Sequence, residues 1–270
     1  MTHGPLHTRR VSVVSVNGVS LYYEEHGTGP PIVCIHGTSA SAAVWGEAAA
    51  ELATRGRTIT YDRRGCFRSE RPQPYVTNVH EHADDAAALI DALAAAPAIV
   101  IGRSYGGETA IDLAMRYPEH VRALVLLEAS LLALSEEGMQ WAAAVKERVF
   151  PAAEIDMSTV AEIFLRAVLG DATWDGFPGP AKQMFTANGP AIVAELRGGF
   201  LDISVEQLAT IGHPTAIVAG TNSPPAFVDV ANQMAGAMPR ATVDWVEGGH
   251  LVNAADPAVL GFVDDVIRNV

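Results

Sequence analysis

The amino-acid sequence predicts an α/β protein built around a mostly parallel β-sheet. Short apolar runs alternate with segments long enough for helices, and this alternation is typical of parallel strands joined by helical crossovers. Asn17-Gly18 lies between two extended segments, which indicates an antiparallel hairpin at the start. Residues 130–212 are too long for a simple crossover and contain helical patterns of their own. We therefore expect a parallel sheet with an antiparallel beginning and an inserted helical unit.

The predicted elements follow the chain in a regular order. The opening hairpin covers residues 11–16 and 21–25. Six further strands are expected at residues 32–35, 58–61, 98–101, 123–127, 215–219 and 242–246. Helices are expected at residues 43–53, 80–94 and 257–268, because apolar residues recur there every three to four positions. The same spacing at residues 110, 113, 114 and 117 predicts another helix, which ends at Pro118.

The segment 130–212 is predicted to form a helical cap. Helical patterns cover residues 139–149, 160–169 and 190–196, and glycines and prolines separate them. The remaining residues, 1–129 and 213–270, are predicted to form one core domain, within which residues 1–8 are interpreted as a loose tail.

Composition excludes several classes of partner. The 18 Lys and Arg residues against 31 Asp and Glu residues give a net charge of −13, which disfavours nucleic acid and anionic membranes. Two cysteines cannot build a disulfide framework, and Cys34 lies in an apolar run, so a reducing compartment is expected. The pattern of neither a signal peptide nor a membrane span is found. We expect a soluble cytoplasmic protein with a small-molecule substrate; its oligomeric state is left open, with a homodimer among the alternatives.

Gly102-Arg103-Ser104-Tyr105-Gly106 is the most informative motif. It follows an apolar strand pattern and leads directly into a helical pattern. A serine on such a strand-to-helix turn is exposed in a cleft, and the flanking glycines let neighbouring backbones approach. The motif therefore predicts a nucleophile elbow.

Other motifs agree with the elbow. His36-Gly37 follows an earlier strand, Trp45 comes shortly after it, Asp62-Arg63-Arg64-Gly65 ends the next strand, and Gly249-His250 follows the last one. With the elbow and the insertion, they resemble the α/β-hydrolase fold serine hydrolases over nearly the whole chain. This resemblance implies an eight-stranded sheet, a cap inserted after the sixth strand and a cleft between core and cap.

Ser104 and His250 are the predicted nucleophile and base. A serine hydroxyl needs an adjacent base before it attacks a carbonyl group. His250 follows the last strand and two glycines, where it is placed to accept the serine proton and return it to the leaving group.

The third member of the triad departs from the commonest pattern of the family. The usual aspartate position, after the strand before the last, is occupied by Ser223. A serine cannot carry the negative charge that stabilises an imidazolium ion. Glu128 ends the strand after the elbow helix, where some family members place the acid, so we predict that Glu128 takes this role. Asp229 and Asp202 are the alternatives.

When the serine attacks a carbonyl group, the carbonyl oxygen becomes negatively charged, and two backbone N–H groups should stabilise this oxyanion. The resemblance assigns one to Tyr105 and the other to Gly37 or Thr38, with Thr38 preferred. Arg103 is an alternative contact for an acidic substrate group. Candidates for lining an apolar pocket in the insertion are Trp141, Trp174, Phe177, Met184 and Phe185.

The reaction class follows from the nucleophile. Metal and cofactor motifs are missing, so no cofactor is expected. Because Ser104 replaces the aspartate of epoxide and halide hydrolases, we predict an ester or lactone hydrolase. Tyr22-Tyr23-Glu24 and the loop around Asn222 are locally similar to the branch of fungal zearalenone lactonases. A carbon–carbon bond hydrolase, a cofactor-free perhydrolase and a small-molecule-binding protein remain alternatives.

Overall fold

The computed structural model describes residues 10–269, so the predicted tail at residues 1–8 lies outside the described part. Eight strands form one sheet in the order β1-β2-β4-β3-β5-β6-β7-β8. They are β1 (Arg10–Val16), β2 (Val19–His26), β3 (Pro31–Ile35), β4 (Arg57–Tyr61), β5 (Ala98–Arg103), β6 (Val121–Leu127), β7 (Thr215–Gly220) and β8 (Ala241–Val246). The predicted α/β class and eight-stranded sheet are confirmed.

The sheet begins antiparallel and continues parallel. Strands β1 and β2 form the predicted hairpin, whose turn places Asn17 at φ 44° and Gly18 at φ 73°, a conformation that these two residue types accept most readily. Strand β2 pairs antiparallel with β4, and every later pairing is parallel. Consequently the carboxyl ends of β3 to β8 share one edge of the sheet.

Helices cover both faces of this sheet. They are α1 (Gly46–Leu52), α2 (Val79–Ala92), α3 (Tyr105–Arg116), α4 (Glu136–Ile155), α5 (Val160–Leu169), α6 (Asp171–Gly176), α7 (Gly179–Ala187), α8 (Gly189–Gly198), α9 (Val205–Leu208), α10 (Pro225–Ala237) and α11 (Pro257–Arg268). Helices α2, α3 and α10 pack on one face, and α1 and α11 pack on the other. Successive residues of β5 pack on opposite faces of the sheet. Val100 belongs to the apolar cluster beneath α2, α3 and α10, whereas Ile99 and Ile101 belong to the cluster beneath α1 and α11.

Helices α4 to α8 lie between β6 and β7, and we call them the inserted helices. Their apolar side chains, including Val149, Phe164 and Ile192, form a cluster separate from the two sheet layers. Helix α4 continues through Pro151, beyond the predicted end at residue 149. Helices α6 and α7 were not predicted, because Gly170 and the run Pro178-Gly179-Pro180 were interpreted as breaks between helices. Gly179 and Pro180 in fact begin α7, where the missing N–H of proline costs no hydrogen bond.

None of the helices within residues 10–269 is both long and apolar enough to cross a membrane.

Candidate active site

Ser104 stands on a strained turn between β5 and α3. Its backbone adopts φ 51° and ψ −120°, a conformation that non-glycine residues rarely adopt and that typically marks functional positions. Its N–H donates to the Leu127 carbonyl at 3.0 Å, and its own carbonyl accepts the Gly107 N–H at 2.7 Å. These bonds hold the turn in place, with Ser104 just before the first residue of α3.

The glycines of the elbow are required by close packing. A Cβ atom on Gly102 would collide with the Gly106 carbonyl, and one on Gly106 would collide with the Ile35 carbonyl. A larger residue at Gly102 would therefore push the start of α3 away from β5, and one at Gly106 would push the elbow away from β3.

The structure places the side chains of His250 and Glu128 in contact with each other. His250 Nδ1 lies 3.1 Å from Glu128 Oε2, and both side chains are buried. The second carboxylate oxygen, Oε1, accepts the Gly220 N–H at 2.6 Å. Glu128 is itself at φ 50°, so a second strained residue sits at the site. Because the carboxylate accepts at Nδ1, the proton of neutral His250 lies on Nδ1 and Nε2 is free to act as a base.

Ser104 and His250 line one cavity of about 540 Å³. The ring of Phe227 packs against the imidazole of His250, with 4.3 Å between the ring centroids. His250 is thus bonded to Glu128 at one ring nitrogen and is in contact with the tilted ring of Phe227. The predicted nucleophile and base therefore line the same cavity.

The alternative acids occupy other positions. Ser223 is buried, and its Oγ has no hydrogen-bond partner among the described residues. Asp229 is half-buried on α10, and Asp202 is exposed in the loop before α9. Of the carboxylates considered, Glu128 is the one bonded to His250.

Two backbone N–H groups are available beside Ser104. Thr38 and Tyr105 line the space around the serine, and within residues 10–269 neither N–H donates a hydrogen bond. Gly37 packs directly against the elbow, since a Cβ on it would lie 3.1 Å from the Ser104 Cβ. Tyr105 also begins α3, whose N-terminus favours negative charge. Such groups suit an oxyanion that develops on the substrate.

Arg63 fixes the loop that carries Gly37 and Thr38, a role that we did not predict. Its Nε donates to the His36 carbonyl at 2.9 Å and its Nη2 to the Gly37 carbonyl at 3.1 Å. The buried Arg63 is paired with Glu195 of α8 at 2.8 Å. Burial, followed by the neighbouring Arg63 charge, keeps the pKa of His36 well below its usual range, so His36 stays neutral. The sequence motif Asp62-Arg63-Arg64-Gly65 drew attention to Arg63, but no pattern in the sequence indicated that Glu195 is its partner.

Arg103 lies beside the nucleophile but is held by the protein. Its Nη2 donates to the Val252 carbonyl at 2.6 Å, and its guanidinium carbon lies 5.0 Å from the centre of the Trp45 ring. Burial lowers the pKa of Arg103 to about 10, which leaves it charged at neutral pH. Val252 lies two residues beyond His250, so Arg103 ties the elbow to the histidine loop.

The cavity is lined mainly by apolar side chains. Of the five predicted lining residues, Phe177, Met184 and Phe185 line this cavity. Trp141 lines a smaller neighbouring space, and Trp174 is buried against Phe177 and Phe185. Further apolar lining comes from residues that the sequence did not single out, namely Val44, Phe67, Phe164, Leu165, Val168 and Leu169.

Comparisons with known proteins agree with this architecture. The pimeloyl-[acyl-carrier protein] methyl ester esterase of Nitrosospira multiformis is 26% identical over 262 residues, which cover 93% of this chain and 97% of the esterase. The 2-hydroxymuconate semialdehyde hydrolase of Pseudomonas sp. strain CF600 is 36% identical over 113 residues, or 41% of this chain and 40% of that enzyme. Matches to several other curated hydrolases likewise span less than half the length of those relatives.

Solved structures and a family model extend the match to the whole fold. The crystal structure of a hydrolase from Pseudomonas aeruginosa superposes with a TM-score of 0.78 at 25% identity, covering 94% of this chain and 98% of that one. The family model for the α/β-hydrolase fold matches residues 30–257. This chain therefore belongs to the α/β-hydrolase fold family.

Proposed function

We propose that the protein is a serine hydrolase that cleaves a carboxylic ester or lactone through an acyl-enzyme intermediate. The observation that carries the proposal is the hydrogen bond between His250 and Glu128 beside a strained, cavity-lining Ser104. In the proposed triad, Ser104 is the nucleophile, His250 the general base and acid, and Glu128 the orienting acid.

The first half of the reaction forms the acyl-enzyme. His250 Nε2 accepts the proton of the Ser104 hydroxyl as Oγ attacks the carbonyl carbon. The N–H groups of Thr38 and Tyr105 stabilise the negative oxygen of the tetrahedral intermediate. The imidazolium ion, stabilised by Glu128, then donates its proton to the departing alcohol oxygen.

The second half releases the acid. Water loses a proton to His250 and attacks the acyl carbon. The second tetrahedral intermediate then collapses with Ser104 Oγ as the leaving group, and the imidazolium ion of His250 returns its proton to that oxygen. The same two N–H groups and the same carboxylate serve both halves. In this proposal the inserted helices act as a cap that closes the cavity over the substrate and limits the access of bulk water.

The apolar cavity supports an uncharged substrate. Its lining is dominated by aliphatic and aromatic side chains, which favour an apolar acyl or alcohol group over an ionic one. The name of the full-length relative from Nitrosospira multiformis, a methyl ester esterase, supports ester hydrolysis as the reaction type.

The proposal is tested by replacing the nucleophile. Ser104→Ala should lower kcat/KM for p-nitrophenyl acetate by at least about 10⁴-fold, because no acyl-enzyme forms. A fluorophosphonate probe should label the wild-type protein and not the variant. Full activity of Ser104→Ala, or a folded wild-type protein that neither turns over the ester nor reacts with the probe, would contradict it, and the second result would favour a binding protein.

Carbon–carbon bond hydrolysis is the second candidate function. It is favoured by the partial match to the 2-hydroxymuconate semialdehyde hydrolase. The two candidates are separated by comparing kcat/KM for p-nitrophenyl acetate and for a 2-hydroxymuconate semialdehyde. A value at least about tenfold higher for the semialdehyde would replace the ester proposal by this one.

A further inference from the structure

Two cavities of very different size meet at Ser104. The larger has a volume of about 540 Å³ and the smaller a volume of about 30 Å³. Thr38 and Ser104 line both of them. The reacting carbon of a substrate bound at Ser104 therefore lies where the two spaces join.

The smaller cavity has room for a very short group. A volume of about 30 Å³ accommodates about two water-sized groups, which corresponds to a methyl or ethyl group. Leu132, Trp141 and Phe227 are among the apolar side chains that close it. Trp141 and Phe227 pack edge to face, with 5.4 Å between ring centroids, so this wall is firmly packed.

His250 determines which half of an ester enters which cavity. It lines the larger cavity and not the smaller one. The general acid must reach the oxygen of the leaving alcohol, so the alcohol half extends into the larger cavity. The acyl half then points into the smaller cavity, beside both Thr38 and Tyr105, the two proposed oxyanion donors.

The lining of the larger cavity selects the kind of alcohol. Phe177, Met184 and Phe185 contribute apolar surface to it. The charged residue in its wall, Arg103, has its Nη2 bonded to the Val252 carbonyl. A bulky apolar alcohol or phenol fits this space better than an anionic one.

We infer that the preferred substrates are short-chain esters, acetates and propionates, of bulky apolar alcohols. The inference rests on the proposed function and adds an orientation to it. Binding the long group on the acyl side would require it to enter a cavity of about 30 Å³. Overpacking of that kind costs far more than one methylene group contributes to binding.

A pair of isomeric esters tests the orientation directly. Octyl acetate and methyl nonanoate have the same composition and differ in which side of the ester bond carries the long chain. We expect kcat/KM to be at least about tenfold higher for octyl acetate, as expected when a pocket excludes an oversized group. Equal values or a preference for methyl nonanoate would overturn the inference. Failure of the proposed function is distinguishable, because p-nitrophenyl acetate would then also remain uncleaved.

Widening the smaller cavity tests its role. Trp141→Ala should raise the ratio of kcat/KM for p-nitrophenyl hexanoate to that for the acetate by at least about tenfold. Trp141 packs on Phe227, which in turn contacts His250. If the substitution loosens His250, the rates with both esters fall together and their ratio stays the same.

Trp174→Ala is the matched control, because Trp174 lies on the inserted helices but lines neither cavity. Its ratio should stay within about twofold of the wild-type ratio. Leu132→Ala replaces Trp141→Ala if that variant fails to fold. An unchanged ratio in the folded wall variant, or an equal rise in Trp174→Ala, would overturn the inference.

Discussion

The neighbouring strands β6 and β7 end at the same edge of the sheet, yet they contribute differently to the site. Glu128 follows β6 and places its carboxylate on His250 and on the Gly220 N–H. Ser223 follows β7 at the position where the family usually carries the acid. Its hydroxyl makes no hydrogen bond within residues 10–269.

The difference shows what the site requires of the acid. A carboxylate has to reach Nδ1 of His250 and be held there, and in this structure it comes from the end of β6. Here the Gly220 N–H at the end of β7 fixes the carboxylate that comes from β6. We propose that the acid has moved by one strand while the position of the histidine stays the same.

The largest effect is expected from removing the charge at the end of β6. Glu128→Gln keeps the shape of the side chain but loses the charge that, in the proposed triad, orients and stabilises the imidazolium ion. We expect kcat for p-nitrophenyl acetate to fall by about 10³ to 10⁴-fold. Asp229→Asn, the matched control, should change kcat by less than about threefold. A large loss in the control with little loss in Glu128→Gln would assign the role to Asp229.

A smaller effect is expected from returning the acid to β7. Glu128→Ala removes the present carboxylate, and Ser223→Asp adds one where the family usually has it. The double variant should regain at least about tenfold in kcat over Glu128→Ala alone, because the new carboxylate has the same task. Steady-state kinetics of the two variants, with circular dichroism as the folding check, measure this gain. A double variant no faster than Glu128→Ala would show that the two strand ends are not interchangeable.

The hydrogen bond from Arg103 to the Val252 carbonyl connects the elbow to the loop of His250. We expect it to contribute less to kcat than Glu128 does. Arg103→Met preserves packing on Trp45 but cannot donate to the Val252 carbonyl. We expect kcat to fall about tenfold, the contribution of one hydrogen bond from a charged donor. KM should change by less than about twofold, because the residue positions His250 rather than the substrate. A rise in KM with unchanged kcat would instead indicate that Arg103 binds the substrate.

The smallest expected effect concerns stability and compares two buried carboxylates near the elbow. Glu128 faces His250, whereas Glu108 accepts bonds from the Ser130 hydroxyl and the Leu201 N–H. Burial raises the pKa of Glu108 to about 8, well above its value of about 4.3 in an unfolded chain. The folded state therefore favours the protonated form, and this contribution to stability is lost as the pH rises from about 4.3 to about 8.

Glu108→Gln resembles the protonated form at every pH. The Tm of the wild type should therefore fall more than the Tm of Glu108→Gln between pH 5 and pH 8.5. Differential scanning calorimetry at the two pH values checks this. An identical decrease in both proteins would show that Glu108 does not titrate in this range.

Much of the fold could be predicted because local patterns and the sheet agree. The Asn17-Gly18 turn, the apolar strands and the order of the elements carry their own signals, and the structure confirms them. The inserted helices were less predictable, since glycine and proline near residues 176–180 suggested a break rather than the start of α7.

Some site residues could be predicted from the sequence and others could not. Ser104 and His250 are marked by motifs, and Glu128 could be inferred because strand ends meet at one edge of the sheet. The Arg63–Glu195 pair joins residues that are distant in the sequence, and no local pattern predicts such a contact. The division of the lining between two cavities depends on side-chain packing, which the sequence alone does not reveal.

The proposed replacement of the acid after β7 by Glu128 can be tested most directly by proton NMR of His250. A hydrogen bond between Nδ1–H and a buried carboxylate should give a far-downfield proton resonance. We expect this resonance in the wild type and in Asp229→Asn, and we expect its loss in Glu128→Gln. A resonance that persists unchanged in Glu128→Gln would show that Glu128 is not the acid bonded to Nδ1 of His250.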